Sequence, residues 1–301
     1  MRVGNKRIHF IDTPGHMDFY FNTMKGASQV DVAILLIDAI KFSTTMEGSL
    51  TKDHIALLQS NTIKEIIVAV NKMDAIDWSE DTFNEITKAL DKYFLSEKME
   101  QLNISYVPIS AFKGENLIEK HKMSWYKGDS LLGEMLKLPN ENEVAMSKPL
   151  RLTVKNIFKG LSAKKKGMGI TVKVEGGILS EKDKVMVMPL EMLVTVKSIF
   201  REETKIKFAV AGETVDVILN IAKEEDFDQI EKGNIVCDPV HPIPLVKIFK
   251  AKIYTRKMNR PIIPGAKYTI HVGLQTFQGT FKKLLQELHP DSEHIKNKRP
   301  R

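Results

Sequence analysis

Short apolar runs alternate with longer amphipathic segments over about the first 140 residues. The runs predict β-strands at residues 7–12, 32–38, 66–71 and 105–110. Apolar side chains spaced three and four residues apart predict helices at residues 46–60, 82–102 and 129–138. Because strands that alternate with helices are typical of βαβ units, we predict an α/β domain with a parallel sheet.

The pattern changes near residue 149, where short β-rich runs separated by glycine begin. Gly160, Gly167 and the pair Gly176-Gly177 fall at predicted turns. The predicted strands lie at residues 150–158, 169–174, 184–188, 193–200 and 213–219. This pattern is typical of an antiparallel barrel or sandwich.

Prolines mark a further joint at residues 238–242, and two more β-rich runs follow at 246–254 and 267–272. We therefore divide the chain into an α/β domain at residues 1–147, a β-barrel domain at 148–242 and a third β-rich segment at 243–301. The third segment is too short to complete a barrel, so we expect it to be an incomplete one.

The pentapeptide Asp12-Thr13-Pro14-Gly15-His16 follows the first predicted strand. Open parallel sheets bind ligands at the carboxyl ends of their strands, and glycine lets the backbone approach a phosphate oxygen. Asp12 could hold Mg²⁺ through a water, the Gly15 amide could donate to a γ-phosphate, and His16 could orient an attacking water. Asp and Gly are also ordinary turn residues. The whole pentapeptide nevertheless predicts the second switch loop of a GTPase, with His16 as the catalytic residue.

The tetrapeptide Asn71-Lys72-Met73-Asp74 follows the third predicted strand. Guanine presents a ring N–H and an exocyclic amine that one carboxylate can accept together, and adenine lacks this pair. We predict Asp74 as that carboxylate, because a site built for such donors rejects a base without them. Asn71 would join loops and contact the base edge, while the stem of Lys72 would cover the base. The alternative is an ordinary polar turn.

Ser110-Ala111 ends the fourth predicted strand, and the backbone amides of these small residues could reach the guanine oxygen. This motif alone is weak evidence. Its value comes from order, because each of the three motifs closes a predicted strand. We therefore expect three loops at one edge of one sheet, forming a site for GTP or GDP with Mg²⁺.

No phosphate-binding loop of the form GxxxxGK[ST] occurs in the 301 residues. Such a loop supplies the amides, lysine and metal ligand that hold most of the nucleotide's negative charge. Base contacts alone would bind weakly, so the sequence leaves open whether the chain binds or hydrolyses GTP. We also expect a central strand to be missing from the sheet and its neighbours to be exposed.

Positive charge is concentrated near the C-terminus. Residues 243–301 hold 13 Lys/Arg against 3 Asp/Glu, a net charge of +10 in a chain whose total is +7. This is a common footprint of proteins that meet RNA, although lysines on a solvated barrel face give the same pattern. The single cysteine, Cys237, excludes an internal disulfide, and no apolar stretch approaches the ~18 residues of a membrane span. We expect a cytoplasmic protein.

The order of the three motifs, followed by two β-rich segments, resembles the translational GTPases of the elongation factor one alpha class. Residues 19–39 and Thr51-Lys52-Asp53-His54 are similar to the family's segments after the second switch. Within the class, residues 110–117 and 125–128 most resemble the ribosome-rescue GTPase that partners pelota. The resemblance covers nearly the whole chain.

This resemblance implies a P-loop-type G domain that lacks its first strand and phosphate loop, followed by antiparallel β-barrels. It implies GTP or GDP and Mg²⁺ as ligands, the ribosome with its rRNA and a pelota-like, release-factor-like protein as partners, and a monomer without membrane contact. The family's phosphate loop lies upstream of the position of Met1, and its third domain extends past Arg301. The chain is therefore interpreted as a truncated gene model or a divergent gene.

Alternatives remain open because the motifs of related branches overlap. An elongation factor that carries aminoacyl-tRNA and a GTPase that partners a release factor fit the same residues. A non-catalytic ribosome-associated binding module, which keeps the barrels and has lost hydrolysis, is the alternative from another class.

Overall fold

A computed structural model describes the chain except residues 1, 4–5, 15–19, 43–48, 61–62, 98, 100, 139–144, 161–166, 254, 256–260, 289–294 and 298–301. It divides into two compact units, Met1–Pro139 and Asn140–Arg301. Neither unit shows, in its described residues, a helix long and apolar enough to cross a membrane.

The first unit has the predicted alternation of strands and helices. Its strands are β1 (Arg2–Val3), β2 (Lys6–Arg7), β3 (Val32–Asp38), β4 (Glu65–Asn71) and β5 (Asn103–Pro108). Its helices are α1 (Tyr20–Ala27), α2 (Ser49–Ser60), α3 (Glu80–Ser96) and α4 (Leu131–Lys137), with a 3₁₀ turn at Met73–Ile76. Strands β3, β4 and β5 pair in parallel in that order, which confirms the parallel sheet.

The central strand β4 is covered on both faces, because Ile66 to Val70 are all at most 1% exposed. Helix α3 begins where Ser79 accepts a hydrogen bond from the Thr82 amide (3.2 Å), and it buries one apolar stripe that includes Ile86 and Leu90. The helix ends at Ser96, not at residue 102 as predicted. Beyond it the Leu102 amide donates to the Met99 carbonyl (3.1 Å), and the Asn103 amide at the start of β5 donates to the Lys64 carbonyl (2.8 Å).

The strand predicted at residues 7–12 is largely wrong. Only Arg7 belongs to a strand, in the small β1–β2 hairpin, and residues 8–14 have no regular structure. A strand persists only where a neighbour satisfies its backbone groups, and β3 pairs with β4 alone among the described strands. Leu36 on β3 and Phe10 are 63% and 60% exposed.

The second unit contains a closed antiparallel barrel, which confirms the predicted architecture. Its strands are β6 (Arg151–Lys159), β7 (Met168–Gly176), β8 (Ile178–Ser180), β9 (Lys184–Met188), β10 (Met192–Arg201), β11 (Thr204–Ile206), β12 (Phe208–Val210), β13 (Thr214–Asn220) and β14 (Ile235–Cys237), with a short helix α5 (Glu224–Phe227). Six of these strands pair in the order β10, β13, β7, β6, β14 and β9, and β9 pairs with β10 to close the ring.

Alternate residues of the barrel strands fill its core, as the period of two requires. Val172 and Val174 of β7, for example, are fully buried. Cys237 is buried as well, and its thiol lies 3.6 Å from the carbonyl oxygen of Met186. It is a small core residue of the barrel.

The end of the chain differs from prediction in one element. The run at 246–254 forms no strand in its described residues, and Val246, Ile248 and Phe249 are all more than 60% exposed. The predicted run at 267–272 does form β15 (Lys267–Val272), because it has a partner in β16 (Gln275–Thr280). Two short strands, β17 (Glu287–Leu288) and β18 (Ile295–Asn297), also pair. The domain boundaries after residues 147 and 242 stay predictions.

Candidate functional site

The carboxyl ends of β3, β4 and β5 lie side by side, because the strands are parallel and in register from Val32 to Asp38. Asp38 closes β3, Asn71 closes β4, and Ser110 lies two residues beyond the end of β5. The loops that carry two of the predicted motifs therefore meet at this edge.

Asn71 joins these loops through one side chain. Its Oδ1 accepts hydrogen bonds from the amides of Lys72 (2.8 Å) and Ala111 (2.9 Å). Its backbone oxygen accepts another from Ala39, just after β3 (3.0 Å). The side-chain amide hydrogens of Asn71 have no recorded acceptor among the described residues, so they can donate to a ligand.

Lys72 and Asp38 form an ion pair across the strand ends, with Nζ and Oδ2 2.7 Å apart. Partial burial acts to raise the pKa of Asp38, but hydrogen bonds from Lys72 and from the Lys41 and Ile40 amides outweigh it and hold that pKa below its usual value. Lys72 has a φ of 67°, in the left-handed region. The sequence analysis did not predict this ion pair. The sequence signal for it was Asp38, a charged residue directly after the apolar run 32–37.

Asp74 lies in the 3₁₀ turn, which the Met73 amide ties to the carbonyl of Ile109 (3.2 Å). Its side chain is 16% exposed, and its recorded polar contact is the Lys113 ammonium, 3.9 Å from Oδ2. No hydrogen bond to this carboxylate is recorded within the described residues. Asp74 therefore keeps free acceptors that fit the two N–H donors of guanine.

Ser110 and Ala111 use their amides within the protein. The Ser110 amide donates to the Glu115 carbonyl (3.1 Å), the Glu115 amide donates to the Ser110 carbonyl (3.0 Å), and the Ala111 amide donates to Asn71. Ser110 is fully buried, and its Oγ accepts from the Lys113 amide (3.2 Å). These contacts shape the loop; the predicted bond from these amides to the guanine oxygen stays a prediction.

Asn116 is a residue of this loop that the sequence analysis missed. It is 1% exposed, its Nδ2 donates to the Pro108 carbonyl (2.7 Å) and its Oδ1 accepts from the His121 amide (3.0 Å). Its φ of 58° suits asparagine, which tolerates left-handed backbone better than most residues. An asparagine closely following Gly114 was the available signal.

Asp12 is exposed and lies in the irregular segment before α1. That segment packs against the helix: the Thr23 hydroxyl donates to the Pro14 carbonyl, and a Cβ built on Gly26 would come within 2.4 Å of Thr13 Cγ2. Gly15 and His16 lie outside the described residues. The described residues do not place Asp12 beside Asp74.

The residues present fit a guanine base better than they fit a metal ion. Asn71 and Asp74 offer a donor and a free carboxylate at one strand edge. The described part of the chain contains no group of three or more His, Cys, Asp or Glu side chains able to hold a metal. Mg²⁺ can be bound by a single carboxylate together with phosphates and waters, so the predicted role of Asp12 stays a prediction.

Comparisons with known proteins agree with the motifs. Residues 1–196 match the family model for the elongation factor Tu GTP binding domain. Protein HBS1 of Drosophila melanogaster is 33% identical over 317 residues, covering 100% of this chain and 46% of that protein. Elongation factor 1-alpha of Ignicoccus hospitalis is 31% identical over 311 residues, covering 100% of the chain and 69% of that protein. The chain thus spans about half the length of HBS1.

The fold is similar to that of translation elongation factor SelB from Methanococcus maripaludis, solved in complex with the GTP analogue GppNHp. The TM-score is 0.66 at 22% sequence identity, over 99% of this chain and 63% of the other. This similarity concerns the fold. The family match and the two relatives show that the chain belongs to the translational GTPases with an elongation factor Tu GTP-binding domain, a family that binds GTP and GDP.

Proposed function

We propose that this chain binds guanine nucleotide at the carboxyl edge of its parallel sheet and acts as a translation factor on the ribosome. The observation that carries the proposal is the arrangement of Asn71 and Asp74. Asn71 holds the two base-recognition loops together, and Asp74 keeps a carboxylate without a recorded hydrogen bond at the same edge.

Asp74, Asn71 and Lys72 would each contact a different part of the guanine base. Asp74 accepts the ring N–H and the exocyclic amine of guanine, and Asn71 donates its side-chain amide to the base edge. The stem of Lys72, fixed by its ammonium on Asp38, covers one face of the base.

The phosphates of the nucleotide would bind at the predicted switch loop. Asp12 would hold Mg²⁺ through water, Gly15 would donate to the γ-phosphate, and His16 would orient the attacking water. Mg²⁺, when bound, neutralises charge on the phosphates.

The proposed biological role follows the branch that the motifs most resemble. The chain would act in the cytoplasm, as a monomer, in delivering a pelota-like, release-factor-like protein to stalled ribosomes. Delivery of aminoacyl-tRNA or of a release factor are the alternatives.

Titration with fluorescent GDP and GTP, with and without Mg²⁺, tests the nucleotide site directly. Because base contacts alone bind weakly, we expect an affinity no tighter than the micromolar range, with binding that unlabelled GDP displaces and ATP does not. A folded chain that binds neither nucleotide at accessible concentrations would contradict the proposal. GTPase assays with ribosomes then show whether the chain hydrolyses GTP.

Replacement of Asp74 by asparagine tests base recognition. The D74N side chain offers a donor where guanine needs an acceptor, so we expect GDP affinity to fall by about 100-fold. Xanthine carries a carbonyl in place of the exocyclic amine, so affinity for xanthosine diphosphate should rise.

Asp77 supplies the matched control. It is an exposed carboxylate three residues away with a φ of 50°, a conformation that asparagine tolerates. We expect D77N to leave both affinities within twofold of the unchanged chain. Equal losses in D74N and D77N would mean that Asp74 does not read the base.

A nucleotide-independent role is the second candidate. The net charge of +10 over residues 243–301 favours it. It predicts ribosome binding that weakens with salt and needs no nucleotide, so absence of binding at low salt would exclude it.

A further inference from the structure

Trp78 and His121 stack on one another and join two segments of the candidate site. Their ring centroids lie 4.4 Å apart, and the ring planes differ by 18°. Both side chains are half-buried. Trp78 ends the turn that carries Asp74, and His121 belongs to the segment that follows Ser110-Ala111. The base contacts proposed above make no use of this pair.

The turn that carries Asp74 ends in a backbone conformation that few side chains adopt. Asp77 and Trp78 have φ values of 50° and 53°, in the left-handed region. This conformation crowds Cβ against the following carbonyl oxygen, and it is rare for a residue as bulky as tryptophan. Two such residues in sequence persist only where surrounding contacts hold them. The Trp78 amide donates to the Met73 carbonyl (2.9 Å), so Asp74 lies inside the turn that Trp78 closes.

His121 supplies such a contact from an anchored position. Its amide donates to Asn116 Oδ1 (3.0 Å), and Asn116 Nδ2 donates to the Pro108 carbonyl at the end of β5 (2.7 Å). Asn116 is only 1% exposed. The backbone that carries the imidazole ring is therefore tied to the same strand end that leads into Ser110.

We propose that His121 is a positioning residue for guanine recognition. By stacking on Trp78, it holds the left-handed end of the turn in place. It thereby keeps the Asp74 carboxylate at the spacing from the Ala111 loop that one base requires. The inference rests on the proposed guanine site and adds to it a residue that acts through Asp74.

The place of the stack in the turn sets the effect that we expect. Hydrogen bonds from the Ala111 amide to Asn71 Oδ1 (2.9 Å) and from the Met73 amide to the Ile109 carbonyl (3.2 Å) join the two segments before Asp74. The stack joins them after Asp74. Loss of the stack leaves the earlier attachment intact, so base discrimination should change while the fold is retained.

Affinities for GDP and inosine diphosphate, measured by competition with fluorescent GDP, test the proposal. Inosine diphosphate lacks the exocyclic amine and can make only one of the two hydrogen bonds to Asp74. We expect His121→Ala to lower GDP affinity about fivefold, the size of one lost aromatic contact. Affinity for inosine diphosphate should fall less, so that the preference for GDP decreases. His121→Phe keeps a ring that can stack and should retain the preference.

Hydrogen exchange of the nucleotide-free chain gives a second measurement. The Ala75 and Trp78 amides both donate within the turn. They should exchange faster in His121→Ala and at the unchanged rate in His121→Phe, because local opening follows the loss of local contacts. Lys122→Ala is the matched control, since Lys122 is exposed and directly follows His121. It should leave the preference for GDP and the exchange rates unchanged.

The outcomes separate this inference from the proposed function. If the unchanged chain binds GDP but His121→Ala changes both affinities equally, the inference is wrong and the guanine site stands. Unchanged exchange at Trp78 in His121→Ala, or equal effects in Lys122→Ala, would also overturn the inference. If the folded, unchanged chain does not bind GDP, the proposed function and the inference both fail.

Discussion

Single side chains hold the candidate site together. The side-chain oxygen of Asn71 accepts one hydrogen bond from the amide of Lys72 and another from the amide of Ala111, 40 residues later in the chain. The Asp38 carboxylate likewise accepts hydrogen bonds from the Ile40 and Lys41 amides and pairs with the Lys72 ammonium. The asparagine and the aspartate therefore position the loops.

The charge of Asp38 predicts a pH-dependent contribution to stability. The pKa of Asp38 is lowered in the folded chain, so the contribution is fully present above the unfolded value of about 3.9 and is lost as the pH falls through the lowered pKa. D38N keeps an acceptor for the turn amides and removes the charge. We expect it to lower the free energy of unfolding at pH 7 by about 0.5–1 kcal/mol.

Urea unfolding followed by tryptophan fluorescence measures this difference, because Trp78 and Trp125 both pack against the core of the first unit. The gap between D38N and the unchanged chain should shrink as the pH is lowered from 7 to 3. A gap that is constant with pH would show that the ion pair contributes nothing.

Predicted strands form where a neighbouring strand is available to pair with them. The strands predicted at 184–188 and 267–272 form with the predicted bounds, and both have antiparallel neighbours. The runs at 7–12 and 246–254 have similar apolar character, yet no described strand beyond Arg7 forms in them. Local pattern shows what a segment can become, and pairing decides whether it does.

We expect alanine substitution at two glycines of the barrel unit to lower the free energy of unfolding by different amounts. Gly177 and Gly160 have φ values of 78° and 58°, but a Cβ on Gly177 would lie 2.7 Å from Leu150 Cα, and nothing lies within 4 Å of one on Gly160. G160A should cost about 1 kcal/mol for the backbone conformation alone. G177A should cost about 3 kcal/mol or more, because backbone must move. Chemical denaturation measures both, and equal costs would contradict the close approach.

The whole molecule has separate hydrophobic cores in its two units. One lies around β4 and α3, and another fills the barrel. Ligand binding at the strand edge of the first unit need not alter the second.

Hydrogen exchange tests this independence. Saturating GDP should slow exchange of amides at residues 71–74 and 110–116 and leave β7 and β13 within error of the nucleotide-free chain. The barrel strands serve as the internal reference. Equal protection of β7 would show that the two units respond together.

The sequence by itself determined the fold classes and the family, because apolar periodicity and the motif at Asn71–Asp74 are local properties of the chain. It also placed that motif and Ser110 at one sheet edge, since parallel strands put their carboxyl ends together. Only the tertiary structure decided that Lys72 pairs with Asp38 and that the Ala111 amide donates to Asn71. Those outcomes depend on which distant segments meet, and no local pattern contains that information.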